Sequence, residues 1–392
     1  MKLICNYDTL ISNVVEVATV TDDSLLKDDA KNIIFQFRGT QVTLLGIAPQ
    51  TITLKRTLPV EGYHVEFAEG EDTTNPLYFQ LRSKELISFL NTYKSTRRTQ
   101  AQEVTLELNA QGAVRCTVLE VDKDDESKHH LSYWSFVNYP IKPNQLKEVN
   151  IDAPQVQLQV IDPRVINLYT KNLFPVMQAG VSLYSNLVFG EDYVVAFDAA
   201  FTVLMANQDE FKSVFGGVRL GYRSVAFIDK IIAPCDDIRA CRTDRHIYIC
   251  TPNSEVFISY DAKLPDYTAY ASIYKKDHAI VLDRVYIKDI IKRLSLVNEN
   301  IEVIVNPETN MVTLRNSKFS QDIEIMQTKA MSELGVLRFK IAPDKLNAGI
   351  IGNDADFPSD VRMYFVEQGN KVAVIFTDST GAWFTVVRVN TY

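Results

Sequence analysis

The sequence contains no run of about 18 apolar residues that would cross a bilayer as a helix. Its opening, MKLICNYDTLISNV, reaches Asp8 before a secretory apolar core of usual length can form, so a soluble cytoplasmic protein is expected. Cysteine is scarce: Cys5, Cys116, Cys235, Cys241 and Cys250 are odd in number and sit mostly among apolar residues, which argues against a disulfide framework and for reduced core thiols. Positive charge is also in deficit, with a net charge of -8. A surface that grips nucleic acid everywhere is thereby excluded, although a local cationic face is not.

The marks of enzymes are missing as well. There is no G-x-S-x-G elbow, no H-E-x-x-H and no kinase set. The glycines of FGGVRLG (215–221) fit neither a Walker loop nor G-x-G-x-x-G and read as a turn entering a strand. Five scattered histidines (His64, His129, His130, His246, His278) and cysteines without C-x-x-C spacing give no metal pattern. The acidic run EVDKDDESK (120–128) lies between two strand patterns and reads as a solvated hairpin loop. No catalytic residue, metal or cofactor is expected, so the enzyme class is disfavoured.

What is present is ample core material, 46% hydrophobic residues against 23% charged, in 392 residues, enough for two or three folded units. Three is the number written in the pattern. Leu77, Phe79 and Leu81 alternate as a half-buried strand; the period then changes, and Leu86, Phe89, Leu90 and Tyr93 form one helical face, with Ser83 as the expected N-cap. The same strand-to-helix unit returns as VRLGYRSVAFIDKII (218–232) and LRFKIAPDKLNAGII (337–351). A second helix type occurs at 7–20, at 162–174 starting from Asp162 and Pro163, and at 283–298 starting from Asp283. Each is followed by a strand-turn-strand pattern: NIIFQFRGTQVTLLG, LVFGEDYVVAFDA and IEVIVNPETNMVTLRN. Each third closes on an aromatic or β-branched strand: LSYWSFVNY (131–139), SEVFISYDA (254–262) and GAWFTVVRV (381–389). The fold class is therefore α+β, with three repeated domains at 1–148, 149–270 and 271–392, each long enough to own a core.

Charge follows the repeat. Residues 83–98, 163–174, 222–232 and 284–294 carry net charges of +3, +2, +1 and +3, while the chain as a whole is at -8. The cations therefore concentrate on helices that the repeat places on one side. The lining is uneven, because the helix at 7–20 carries Asp8 and Glu16 and no base.

Three such units with basic helices in an acidic chain resemble the bacterial sliding clamp, the β subunit of the replicative DNA polymerase, and the resemblance spans essentially the whole chain. The most specific local match is KLPDYTAYASIYKK, where Leu264, Pro265, Asp266 and Tyr267 stand in place of the family's Phe-Pro-Asp-Tyr-like entry to its third domain. A second is VVAFDAAFTVLMAN (194–207), where the family usually reads Thr-Asp-Gly-His-Arg-Leu and only Asp198 is identical across the turn. That divergence suggests a virus-encoded member acting in an infected bacterial host.

The resemblance implies a head-to-tail homodimer closing into a ring, with helices around a central hole and antiparallel sheets outside. Its partners would be duplex DNA, bound without regard to sequence, a DNA polymerase and a clamp loader. DNA contacts would come from Lys84, Lys94, Arg98, Arg164, Lys171, Arg223, Lys230, Arg284, Lys288 and Lys292, the last three one stripe at i, i+4 and i+8. The alternative for each is a cation on a solvated helix face. A pocket for a partner peptide would involve Phe197, Ala199, Phe201, Pro265, Tyr267, Val386 and Val387, each otherwise ordinary core. Ala200 and Phe201 replace the family's His-Arg pair, so the peptide preference should differ. The subunit interface would set Trp134 and Phe136 against a region around Leu294 and Leu296, unless the two aromatics turn into their own core. The competing functional reading is a monomeric polymerase accessory protein that binds duplex DNA on an open basic face; a virion structural protein is a third.

Overall fold

The computed structural model describes residues 1–21, 30–71, 73–94, 98–177, 185–197, 201–264, 280–297, 300–306, 308–309, 311–316, 323–327, 336–343, 346–347, 350, 359–368 and 371–389. The chain divides into two compact units, residues 1–163 with 230–260, and residues 164–229 with 261–392. The middle third thus contributes strands to both. All pairings among the described strands are antiparallel, and each unit contains two sheets.

In the first unit a five-stranded sheet runs Tyr63–Glu66, Lys2–Asn6, Thr99–Leu108, Val114–Asp122, His129–Phe136. An eight-stranded sheet runs Gln159–Ile161, Ile238–Arg242, His246–Thr251, Ser254–Ser259, Ile52–Thr57, Gln41–Ala48, Asn32–Arg38, Leu77–Arg82. Its first four strands come from the middle third and its last four from the first. The seam is the pairing of Ser254–Ser259 with Ile52–Thr57, with Val256 opposite Leu54.

The helix Tyr7–Thr21 buries Leu10, Val14, Val17 and Val20 against these sheets. Each such side chain removed from water contributes about 1.5–3 kcal/mol. Asn6 starts this helix, its Oδ1 accepting from the backbone N–H of Asp8 and Thr9 at 3.0 and 3.2 Å. The helix crosses its sheet at Gly46, where an added Cβ would stand 2.8 Å from the Val17 carbonyl oxygen. Only glycine permits that approach. The hairpin at Gly39, with φ at +56°, matches the expected turn.

In the second unit an eight-stranded sheet runs Val218–Gly221, Asn186–Phe189, Tyr193–Phe197, Phe201–Ala206, Trp383–Val389, Lys371–Thr377, Asp360–Gln368, Ile280–Asp283. A four-stranded sheet runs Ile323–Gln327, Met311–Asn316, Ile301–Asn306, Leu337–Ile341. The seam here pairs Phe201–Ala206 with Trp383–Val389, with Val203 opposite Thr385. Read from its opposite end, this sheet repeats the eight-stranded sheet of the first unit strand for strand. Ile287 of the helix Arg284–Leu294 lines one small apolar cavity together with Val303, Val312 and Leu314 of one sheet and Leu282, Met363 and Phe376 of the other.

Helix starts follow the sequence closely, with one exception. Pro163 opens the helix Pro163–Leu173, and the Asp283 carboxylate caps Arg284–Leu294 by accepting from the Tyr286 N–H at 2.8 Å. Ser83 is not a cap: Arg82 holds that position, and the Ser83 hydroxyl donates to the Lys31 carbonyl at 2.8 Å. That helix ends at Asn91, so Lys94 and Arg98 lie beyond it, in the turn and just before the strand Thr99–Leu108. The acidic run is a hairpin loop, as its sequence implies, with Asp125 accepting from the Ser127 hydroxyl at 2.6 Å and paired with Lys128 at 3.1 Å. Those bonds, the Ser127 hydroxyl first, hold the Asp125 carboxyl below its usual range.

Candidate nucleic-acid interface and partner pocket

The helices bury one face and leave the other to carry charge. On Ser83–Asn91, Leu86 and Leu90 are buried and Lys84 is exposed; the backbone carbonyl of Leu90 accepts from the Tyr7 hydroxyl at 2.7 Å, tying this helix to Tyr7–Thr21. On Pro163–Leu173, Val165, Ile166, Tyr169 and Leu173 face inward and Arg164 and Lys171 outward. Tyr169 donates to the Ala206 carbonyl at 2.9 Å and accepts from the Gln208 N–H at 2.8 Å, and burial pushes its hydroxyl up to about 12. Lys230 is exposed and Arg223 half-buried. Lys94 and Arg98 are exposed too, although they are not helical.

The stripe at 284–292 needs correction. Arg284 is only 1% exposed, Lys288 is half-buried and Lys292 exposed. Arg284 stands three residues before Ile287 and seven before Ile291, which places it on the apolar face rather than opposite it. The outward cations of this helix are Lys292 and Arg293. With Tyr286, Asp289 and Leu296 they line a shallow depression of about 510 Å3.

Of the proposed pocket residues, Phe197 and Val386 fall on the sheet face turned away from the helices. There Val188, Val195, Leu204, Tyr364, Ala373, Ile375, Phe384 and Val386 form one apolar cluster, with Tyr193, Phe197 and Leu264 half-buried against it. Phe197 and Val386 are therefore brought together. Val387, 2% exposed, is the next residue along the same strand, points to the opposite face and does not belong to the cluster. Phe201 lies on the seam strand, opposite Val387. Ala199, Pro265 and Tyr267 lie outside the described residues. The sequence reading missed Tyr193, Ile375 and Phe384, which the two-residue alternation along 193–197, 371–377 and 383–389 was able to reveal.

At the edge of the five-stranded sheet, His129–Phe136 presents Leu131, Tyr133 and Trp134, which are 68%, 67% and 57% exposed. Phe136 is not part of that surface: it is buried against Phe89, with ring centres 5.6 Å apart, so the inward alternative holds for this residue. Leu294 is buried in its own unit, whereas Leu296 is 84% exposed. Among the described residues the edges of the four-stranded sheet are Ile323–Gln327 and Leu337–Ile341, and the 294–296 region lies on neither.

No protein-family model matches the sequence, and no curated protein does. Solved structures do. The chain is similar over its full length to the DNA polymerase III subunit β of Pseudomonas aeruginosa (TM-score 0.70, 14% identity, 100% of both chains covered). It is similarly close to Caulobacter crescentus pol III β (0.72, 13%, 100% of both) and to the β subunit from DNA polymerase of Streptococcus pyogenes (0.70, 11%, 100% of both). The chain has the sliding-clamp fold. At such low identity the side chains, unlike the backbone, are this chain's own. Among the described residues no group of three His, Cys, Asp or Glu comes together as a metal site, and no helix is long and apolar enough to cross a membrane.

Proposed function

We propose that the chain is a DNA polymerase processivity factor: two copies close head to tail into a ring around duplex DNA, slide on it and tether the polymerase by a short apolar peptide. One observation carries this reading. If the chain is read as thirds at 1–148, 149–270 and 271–392, each yields two sets of strands, and at both seams a set from one third joins the complementary set of the next. One set of the first third, ending at His129–Phe136, and one set of the last, ending at Ile323–Gln327, are left over. They are the complementary pair. A second copy supplies each with its partner, and two copies pair both of these edges while burying Leu131, Tyr133 and Trp134.

The charge pattern supports the same reading. Lys84, Lys94, Arg98, Arg164, Lys171, Lys230 and Lys292 are outward cations on or beside the helices in an otherwise acidic chain. Duplex DNA carries about one negative charge per 1.7 Å of its axis, so such contacts attract without reading sequence. Retention then comes from topology, and weak contacts leave the ring free to slide. No bond is made or broken by the protein. A clamp loader would open the ring, and the polymerase would reach the face around Phe197 and Val386 with one or two apolar anchors.

The test is retention on nicked circular DNA against the same DNA linearised. A ring stays on the circle at moderate salt and runs off the linear ends. Lys84→Glu, Lys171→Glu and Lys292→Glu combined should cut loading onto the circle by tenfold or more while the protein stays folded by circular dichroism. Equal retention on both DNAs, lost in parallel as salt rises, would instead support the monomeric accessory protein.

A further inference from the structure

Three helices stand at the same point of the repeat. Each follows a short strand with at most one residue between: Tyr7–Thr21 after Lys2–Asn6, Pro163–Leu173 after Gln159–Ile161 and Arg284–Leu294 after Ile280–Asp283. Their inward faces correspond residue for residue at i, i+3 and i+7. Leu10, Ile166 and Ile287 take the first place, Asn13, Tyr169 and Ile290 the second, and Val17, Leu173 and Leu294 the third, and all are buried. That register fixes which outward residues correspond. Asp8, Arg164 and Val285 share one exposed position, and Val15, Lys171 and Lys292 share another.

At the second of these positions the first third departs from the other two. Lys171 and Lys292 end in ammonium groups, whereas Val15, 45% exposed, ends in methyls. The helices differ as wholes in the same sense. Tyr7–Thr21 carries Asp8 and Glu16 and no base, Pro163–Leu173 carries Arg164 and Lys171 and no acid, and Arg284–Leu294 carries four bases against Asp289. The neighbouring cation, Arg56, does not make up the difference, since its guanidinium is taken by Asn13, Ser254 and Glu16. One exposed valine alone is ordinary. Its correspondence to two exposed lysines on equivalent helices is not explained by packing, because none of the three side chains is in the core.

We propose that this position is the duplex anchor of each third, filled by Lys171 and Lys292 and left without charge at Val15, so that each copy holds the phosphate backbone with its second and third thirds and lets it slip past the first. The proposal rests on the ring reading given above. A lysine that meets a phosphate releases a condensed counterion, and a valine releases none. Asp8 adds repulsion on the same face within a Debye length, about 8 Å at physiological salt. A ring held by topology has no need of an adhesive contact from every third, and each contact left out lowers the drag on sliding.

The experiment measures binding of the full chain to a fluorescein-labelled duplex of about 30 base pairs, by anisotropy from low to moderate salt. Val15→Lys should steepen the fall of log K with log salt by about 0.9 for each chain in the ring, and Lys171→Val and Lys292→Val should each flatten it by about as much. All three positions are exposed, and native circular dichroism checks that the variants fold. If the two lysine changes flatten the slope and Val15→Lys leaves it unmoved, position 15 is not an anchor site and the proposal is wrong. A photocrosslinking amino acid in place of Ser12 should label the duplex about fivefold less than one in place of Asp289, the corresponding residue of the third helix. Equal labelling would show the first third already in contact and would also overturn the proposal. The ring reading fails separately: no lysine change moves the slope, and nicked circular and linear DNA retain the protein alike.

Discussion

The two seams have the same backbone ladder and opposite chemistry. At Ser254–Ser259 against Ile52–Thr57 the helix Tyr7–Thr21 meets the sheet through charge: the Arg56 guanidinium donates to the Asn13 amide oxygen at 2.7 Å and to the Ser254 hydroxyl at 2.8 Å, and pairs with Glu16 at 3.3 Å. Ser254 in turn donates to Glu16 at 3.1 Å, closing the network. At Phe201–Ala206 against Trp383–Val389 the comparable place is apolar. Trp383 is fully buried opposite Met205, and its carbonyl accepts from the Thr377 hydroxyl at 2.6 Å. A shared fold therefore constrains which strands meet and not what holds them, because ladder hydrogen bonds are indifferent to side chains.

The difference predicts unequal responses. Trp383→Ala should have the largest effect, about 3–5 kcal/mol lost from the second unit through lost burial and the cavity left behind, read as a lower midpoint in denaturant. Arg56→Ala should cost the first unit less, about 1–3 kcal/mol, because Glu16 and Arg56 each keep about a fifth of their side-chain surface in water. Replacing Arg56 and Glu16 together with Met and Leu should recover part of that loss. A double-mutant cycle that shows no coupling between the two would dissolve the contrast.

The smallest effect is one of pH, and it too should fall on the first unit. Burial holds the His246 pKa below its usual value, with Glu148 opposing and Arg245 reinforcing the shift. The unfolded chain therefore takes up a proton before the folded one. Stability contributed by neutral His246 is present above pH 6.5 and is lost as pH falls below it toward the depressed folded value. His246→Asn should flatten that decline by a few tenths of a kcal/mol, seen by comparing denaturant midpoints at pH 7.5 and 5.5.

Much of the fold was legible because it is local. The switch from two-residue to 3.6-residue period at Leu77–Tyr93, the turns at Gly39 and 190–192, the helix start at Pro163 and the cap at Asp283 all depend on neighbours in sequence. The seams were not legible: Arg56 and Ser254 are 198 residues apart, and nothing short-range announces their meeting. Arg284 was misread although its spacing from Ile287 and Ile291 already set it on the apolar face. Val387 was misread for the same kind of reason, since adjacent strand residues cannot share a face. Phe136 and Leu294 show the limit of reasoning by family position: the resemblance implied a subunit interface for both, and both are buried within their own units.

The central claim is that the two leftover edges, His129–Phe136 and Ile323–Gln327, are partners. Light scattering over a dilution series measures it directly. The wild-type protein should hold a mass of twice 44.5 kDa through the micromolar range, and Tyr133→Asp with Leu131→Asp should reduce it to 44.5 kDa without unfolding. A wild-type mass of 44.5 kDa at every concentration would contradict closure through these edges.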